Sequence, residues 1–364
     1  MRIVIAGGGT GGHLFPGIAI AEEFLKRDNK TQLAFIGTER GIENRLLGQL
    51  GYELRKIDIE GVKGRGMKAL VKGIYQIPKS LWQSRRILKQ FRPDMVVGVG
   101  GYASGPAVLT AHYMNIPTAI AEQNAVPGVT NRILGHFVDK IFVTYEQSRT
   151  LFPGMKVIFS GNPVRASLAS GSVRTKKEKN YSQLLIFGGS QGAEAINKSV
   201  MDMLPLLQNI KEQVRILHQT GTRQLEDVKK AYETFGIQAD VTSFIVQMAE
   251  AYDDADLIIC RAGATSLAEI TAAGKAAILI PYPWAANDHQ TKNAEALASG
   301  GAAVVIPERE LSGNRLFNAV DNLLRDPVTL RKMEENSLRM SRTDAAATIV
   351  DDCIALMTEK TKNN

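Results

Sequence analysis

Short apolar runs and helix-period segments alternate along the whole chain. Runs rich in Val, Ile, Leu and Ala fall at Arg2–Ala6, Gln32–Ile36, Asp94–Val99, Thr118–Ala121, Lys140–Val143 and Val157–Phe159. They recur at Gln183–Phe187, Val214–His218, Ala239–Phe244, Asp256–Cys260, Ala276–Ile280 and Ala302–Ile306. Most of these runs are apolar at consecutive positions, which is the pattern of parallel strands covered by helices on both faces. Their alternation with helical segments predicts an α/β chain with parallel sheets.

The periodicity breaks once, near Gly171–Ser182, where Ser, Gly, Lys, Glu and Asn replace apolar positions. Such a stretch reads as a linker or exposed loop. Just before it, Gly161-Asn162-Pro163-Val164-Arg165 has the composition of a hinge turn. Each half opens with the same unit. The first strand leads into Gly7-Gly8-Gly9-Thr10-Gly11-Gly12, and Gln183–Phe187 leads into Gly188-Gly189-Ser190-Gln191-Gly192. Two Rossmann-like domains are expected, 1–163 and 164–341, with ligands at the carboxyl ends of their strands. A length of 364 residues suits two such cores.

Glycines at these turns let backbone N–H groups approach a ligand, and the helix that follows adds the positive end of its dipole. Thr10, Gly11 and Gly12 are therefore candidates to contact a phosphorylated ligand. Gly7-x-Gly9-x-x-Gly12 also fits the dinucleotide fingerprint, with Glu39 after the second strand as a ribose ligand, so a dehydrogenase is a rival reading. One dinucleotide does not need two glycine turns, which disfavours it. A third turn, Gly100-Gly101-Tyr102-Ala103-Ser104, follows Asp94–Val99 and belongs at the same end of its sheet.

Composition narrows the classes further. Two cysteines, Cys260 and Cys353, lack the spacing of a disulfide framework or zinc knuckle, and a reducing cytosol fits them. The N-terminus has no signal-peptide pattern, and no run approaches the ~18 apolar residues of a spanning helix. The formal net charge of +7 implies an anionic partner. Nucleic acid is one such partner, but no helix-turn-helix, RNA-binding aromatic motif or zinc ligand set supports it, and none is expected.

Seven segments together carry a resemblance. They are Gly7–His13 with Pro16, Gly100–Pro106, Glu122-Gln123-Asn124, Gly161–Arg165, Gly188–Ala193, Arg261–Glu269, and His289-Gln290 with Asn293-Ala294. In this order the set resembles the MurG family of bacterial cell-wall glycosyltransferases. The resemblance implies a GT-B-type fold, two Rossmann-like domains with parallel sheets facing across a cleft. It implies inverting, metal-independent transfer of N-acetylglucosamine from UDP-N-acetylglucosamine to lipid-linked muramyl-pentapeptide. A terminal helical segment after Ser341, about 342–364, would pack back on the first domain. Another UDP-sugar enzyme of this fold, a glycolipid glycosyltransferase or an epimerase, is the runner-up.

The residues supply chemistry consistent with that expectation. Ala264, Thr265 and Ser266 open a helix whose backbone amides can hold a diphosphate, and Glu269 one turn in can accept bonds from ribose hydroxyls. Arg165 and Ser190 are further diphosphate candidates, since Arg grips phosphate with two parallel bonds. The resemblance assigns the uracil edge to the Ile245 backbone. His289, Gln290 and Asn293 share a helix side, and the resemblance assigns them to sugar hydroxyls. His13 is the expected general base, because imidazole titrates near neutrality. Glu122 is a second base candidate, Asn124 a sugar or acceptor contact, and Gly101, Tyr102 and Ser104 acceptor contacts. Asp254-Ala255-Asp256 matches the D-x-D of metal-dependent sugar transferases, but it opens a strand and reads as structural.

The stretch 63–92 carries Lys63, Arg65, Lys68, Lys72, Lys79, Arg85, Arg86, Lys89 and Arg92, and no acidic residue. Leu70, Ile74, Ile77 and Leu81 repeat at helical spacing beside Trp82, and Pro78 is expected to start a second helix or kink the first. A basic amphipathic segment of this kind suits an anionic membrane surface. The protein is expected at the cytoplasmic face of the cell membrane, held peripherally.

Overall fold

The computed structural model describes residues 1–39, 43–59, 66–169, 179–189 and 191–362. The chain divides into two compact units, Met1–Ala166 with Arg342–Asn364, and Ser167–Ser341.

Among the described residues, the first unit has seven strands: β1 Arg2–Ala6, β2 Gln32–Gly37, β3 Glu53–Lys56, β4 Met95–Gly98, β5 Thr118–Glu122, β6 Lys140–Val143 and β7 Val157–Phe159. Its helices are α1 Gly11–Arg27, α2 Glu43–Gln49, α3 Gly66–Phe91, α4 Ser104–Tyr113 and α5 Val129–Leu134, with the short α6 Ala166–Ala169 at the boundary. The second unit holds β8 Ser182–Phe187, β9 Val214–Gln219, β10 Ala239–Thr242, β11 Leu257–Cys260, β12 Ala276–Leu279 and β13 Ala303–Val305. Its helices are α7 Glu194–Leu207, α8 Leu225–Phe235, α9 Met248–Asp254, α10 Ala264–Ala272, α11 His289–Ser299, α12 Gly313–Arg325 and α13 Pro327–Arg339. The last helix, α14 Ala345–Lys362, returns to the first unit.

Both sheets are parallel, in the orders β3-β2-β1-β4-β5-β6-β7 and β10-β9-β8-β11-β12-β13. Strand order reverses beside β1 and beside β8, and in open α/β sheets that reversal marks the ligand crevice at the carboxyl ends. Successive residues face opposite ways along a strand. Ile3, Ile5 and Val97 therefore join one core with Leu14, Phe24, Ile349, Val350 and Cys353. Val4, Ala6 and Val96 join the other, with Leu88, Ala107 and Ile120. Burial on both faces is why these strands read as unbroken apolar runs.

Helix α14 seals the first core and is pinned by charge at its polar edge. Lys360 Nζ lies 2.9 Å from Asp139, and Asp352 lies 3.2 Å from Lys140 Nζ. A recurrent device fixes the amino ends of the strands. Asp94, Asp139 and Asp256 each stand one residue before a strand, and each carboxylate accepts an amide at the start of the neighbouring strand. The amides are those of Arg2 at 2.7 Å, Thr118 at 2.8 Å and Gln183 at 2.8 Å. Asp256, the last residue of the D-x-D match, thus serves the sheet at the end opposite the glycine turns.

Two features depart from the sequence reading. Strand β3, Glu-Leu-Arg-Lys, is an edge strand of mostly charged residues and shows no apolar run. Helix α3 continues through Pro78 from Gly66 to Phe91, so no second helix begins there. Its inward face is Ser80, Ser84, Leu88 and Phe91, all buried, while Ile77 and Trp82 are exposed. Lys63 and Arg65 lie outside the described residues, as do the side chains of Lys68, Leu70, Lys72 and Ile74. Among the described residues, no helix is long and apolar enough to cross a membrane.

Candidate active site

In the first unit, β1 ends at Ala6 and the Gly7–Thr10 turn leads into α1. Thr10 is extended and its side chain does not cap the helix, and the first turn holds no acid. The amides of Gly11 and Gly12 thus head a helix with its dipole unneutralised. The turn is braced by the β4–α4 loop. Gly101 has φ +81°, and a Cβ there would collide with the Gly8 carbonyl, so only glycine fits this backbone-on-backbone contact. On the same loop Tyr102 is half exposed, and Ser104 begins α4 fully buried, its hydroxyl without a partner among the described residues.

His13 occupies the first turn of α1, partly exposed, with Nδ1 3.1 Å from Oε1 of buried Gln123 at the end of β5. Glu122, beside Gln123, is turned away from that imidazole bond. Its Oε1 accepts from the Asn124 amide at 2.9 Å and Asn124 Nδ2 at 3.1 Å. Its Oε2 accepts from the Gly128 amide at 3.0 Å and Asn131 Nδ2 at 2.9 Å. A carboxylate has about four acceptor positions, and these four donors occupy them. Glu122 is 3% exposed, and these bonds shape the loop that carries Asn124.

Arg165 ends the hinge segment against α1, its guanidinium 4.8 Å from the Phe15 ring centroid. Burial pushes the Glu22 carboxyl up, opposed by a hydrogen bond from the Ala166 backbone and by the Arg165 charge. Arg165 is thereby held within the first unit, two residues along the helix from His13.

In the second unit, α10 follows β11 directly. Its N-cap, Gly263, has no side chain to cap it, and no acid stands in the first turn, so the amides of Ala264, Thr265 and Ser266 head a helix end suited to an anion. Glu269 is buried and its Oε2 accepts from the Tyr252 hydroxyl at 3.1 Å. Ser190 lies outside the described residues. The rest of its turn is braced on the β9 side: Gly192 has φ +77°, and a Cβ there would collide with the Thr220 carbonyl. The helix after it, α7, carries Glu194 in its first turn.

Ile245 falls beyond the end of β10, since the run ends at Thr242 and Phe244 is exposed. Its amide donates to Gln219 Oε1 at 3.0 Å, while Gln219 Nε2 donates to the Gly189 carbonyl at 2.7 Å. One buried glutamine therefore ties the glycine turn to the Ile245 loop. On α11, His289 Nδ1 donates to the Ala286 carbonyl at 2.7 Å and Gln290 Oε1 accepts the Tyr282 amide at 3.0 Å. Both are partly exposed. Asn293 is not: it is fully buried and its Nδ2 donates to the Ala262 carbonyl at 3.3 Å. Burial separates Asn293 from the other two, and its bond fastens α11 to the loop after β11.

The residues that sequence reasoning missed are the braces Gln219, Tyr252 and Arg261. Arg261 pairs with Glu308 at 2.5 Å and donates to the carbonyls of Ile280 and Pro281, which anchors the loop before α11. Their partners are 17 to 47 positions away, so no local pattern announces them.

Comparisons with known proteins agree with this geometry. Residues 3–143 match the glycosyltransferase family 28 N-terminal domain and residues 183–349 its C-terminal domain. A protein of Syntrophus aciditrophicus, "UDP-N-acetylglucosamine--N-acetylmuramyl-(pentapeptide) pyrophosphoryl-undecaprenol N-acetylglucosamine transferase", is 52% identical over 98% of this chain and 99% of its own. The protein of that name from Geobacter metallireducens is 50% identical over the full length of both. Among solved structures, Acinetobacter baumannii MurG superposes with a TM-score of 0.77 at 32% identity, covering 97% of this chain and 99% of that one. Two Rossmann-like units that each match one half of the family, and full-length relatives at half identity, place the chain in glycosyltransferase family 28, among its MurG-type N-acetylglucosamine transferases.

Proposed function

We propose that this protein transfers N-acetylglucosamine from UDP-N-acetylglucosamine to the muramyl 4-hydroxyl of undecaprenyl-pyrophosphoryl-MurNAc-pentapeptide, a step of peptidoglycan synthesis. The observation that carries the reading is full-length identity of 52% to a transferase named for that reaction.

In this reading the second unit binds the donor. The amides of Ala264, Thr265 and Ser266 hold the diphosphate, with Ser190 beside it, and Glu269 accepts from the ribose hydroxyls. The loop at Ile245 meets the uracil, and His289 and Gln290 meet the sugar. The first unit binds the acceptor through Gly101, Tyr102 and Ser104, with Thr10, Gly11, Gly12 and Arg165 turned to the donor phosphates and Asn124 to the sugar. His13 takes the acceptor hydroxyl proton as that oxygen bonds to the anomeric carbon. The glycosidic C–O bond breaks to the opposite side, inverting the centre, and its electron pair leaves on the β-phosphate of UDP. Helix amides and Arg165 stabilise that charge. No metal is needed in this scheme, and the D-x-D residue Asp256 is spent on the Gln183 amide.

The first unit also docks on the cytoplasmic membrane surface. Exposed Ile77 and Trp82 with exposed Arg85, Arg86 and Lys89 support this, since basic residues near an anionic surface each add roughly 1 kcal/mol. Vesicles containing anionic lipid should bind the protein in a salt-dependent way, and duplex DNA should not.

The deciding experiment is transfer itself. Labelled UDP-N-acetylglucosamine and a short-chain muramyl-pyrophosphoryl lipid should yield a β-linked disaccharide product, also in the presence of a chelator. Conversion of the donor to an epimer with no disaccharide would overturn the reading.

A further inference from the structure

We infer that Gln123 is a positioning residue that locks His13 in its Nδ1–H tautomer and leaves Nε2 as the basic nitrogen. The inference rests on the reading of His13 as the base and adds which nitrogen acts and what selects it.

The argument follows from donor bookkeeping. Gln123 is 2% exposed, so its amide must find partners inside the protein. Nε2 donates to the Ala121 carbonyl at 3.1 Å, an atom that can only accept. This fixes the amide orientation: the reverse one would set Gln123 Oε1 against a carbonyl and waste a donor. Oε1 is then the atom 3.1 Å from His13 Nδ1, and it also can only accept. A hydrogen bond at that distance needs the proton on Nδ1. In a neutral imidazole, Nε2 is then the lone-pair nitrogen.

The surroundings hold the ring in place. An added methyl on Gly100 would stand 2.7 Å from Nδ1, so the ring lies directly on that backbone. Neighbouring titratable groups do not compete for Nδ1. Glu122 is committed to Asn124, Gly128 and Asn131, and Arg165 is stacked on Phe15. His218 in the second unit shows the contrast. Its Nδ1 meets the Tyr232 hydroxyl and its Nε2 meets Asn197 Oδ1, each at 3.1 Å. Asn197 Nδ2 donates to the Thr220 carbonyl, so its Oδ1 accepts and His218 carries its proton on Nε2. With both nitrogens engaged, His218 has no basic nitrogen to offer.

The test joins a spectroscopic readout to kinetics. Long-range 1H–15N spectra of the full-length protein above the His13 pKa should show the His13 ring as the Nδ1–H form, assigned by its loss in His13→Asn. Gln123→Leu removes the acceptor, so the Nε2–H form should appear. Turnover should fall on the order of 100-fold, with the KM for UDP-N-acetylglucosamine within about three-fold. Gln123→Glu keeps an acceptor facing Nδ1 in either protonation state, and it should restore the Nδ1–H form and most of the turnover. An Nε2–H ring in the wild type, or an unchanged ring in Gln123→Leu, would overturn the tautomer assignment. A shifted tautomer with wild-type turnover would instead remove His13 as the base, and with it the part given to Gln123.

Discussion

The two glycine turns occupy equivalent places, each after the strand beside which its sheet reverses order, yet they are braced on opposite sides. The first turn leans on the loop after β4, where Gly101 meets the Gly8 carbonyl. The second leans on the loop after β9, where Gly192 meets the Thr220 carbonyl. The helices they feed differ as well. Helix α1 begins without a first-turn acid and carries His13 there, whereas α7 begins with Glu194. In the second unit, α10 after β11 starts without a first-turn acid. A shared fingerprint therefore does not mean a shared job. Where the turn is braced, and what charge follows it, differ between the two units.

The comparison makes His13 the group whose loss should cost most. His13→Asn should lower kcat by roughly 100- to 10,000-fold while UDP affinity by calorimetry stays within about two-fold. An equal loss of UDP affinity would make His13 a donor-binding residue rather than the base. Glu269→Ala should act in the opposite way. Removing a buried carboxylate takes one acceptor from the Tyr252 hydroxyl and one from the ribose, and UDP should bind roughly 10- to 100-fold more weakly.

The histidines sharpen the contrast through pH. Burial pushes His218 down to about 3. Its folded-state value lies below its unfolded value of about 6.5, so folding favours the neutral ring. That contribution is complete above pH 6.5 and is lost as pH falls from 6.5 toward 3. The unfolding free energy from denaturant titrations should drop by up to about 1.4 kcal/mol per pH unit below 6.5, and His218→Gln should flatten the slope. The smallest effect concerns the brace itself. Gln219→Leu frees the Ile245 amide and the Gly189 carbonyl, and UDP affinity should fall roughly five-fold with kcat unchanged at saturation.

Much of the fold was legible because burial on both sheet faces writes itself as unbroken apolar runs. Strand β3 escaped because an edge strand of Glu, Leu, Arg and Lys need not be apolar. At Pro78 the sequence left two readings open, and the structure has one helix there, packed down beyond the proline by Ser80, Ser84, Leu88 and Phe91. At the site, the turns and helix ends were legible from glycine and strand positions. Roles set by contacts were not. That Gly128 and Asn131 donate to the second oxygen of Glu122 is not written in the sequence. The burial of Asn293 and its bond to the Ala262 carbonyl are likewise not written in the sequence.

A crystal structure with UDP bound tests the central claim most directly. The account predicts the diphosphate on the amides of Ala264–Ser266, the ribose on Glu269 and the base beside Ile245. A diphosphate seated on the amides at the start of α7, next to Glu194, would contradict it.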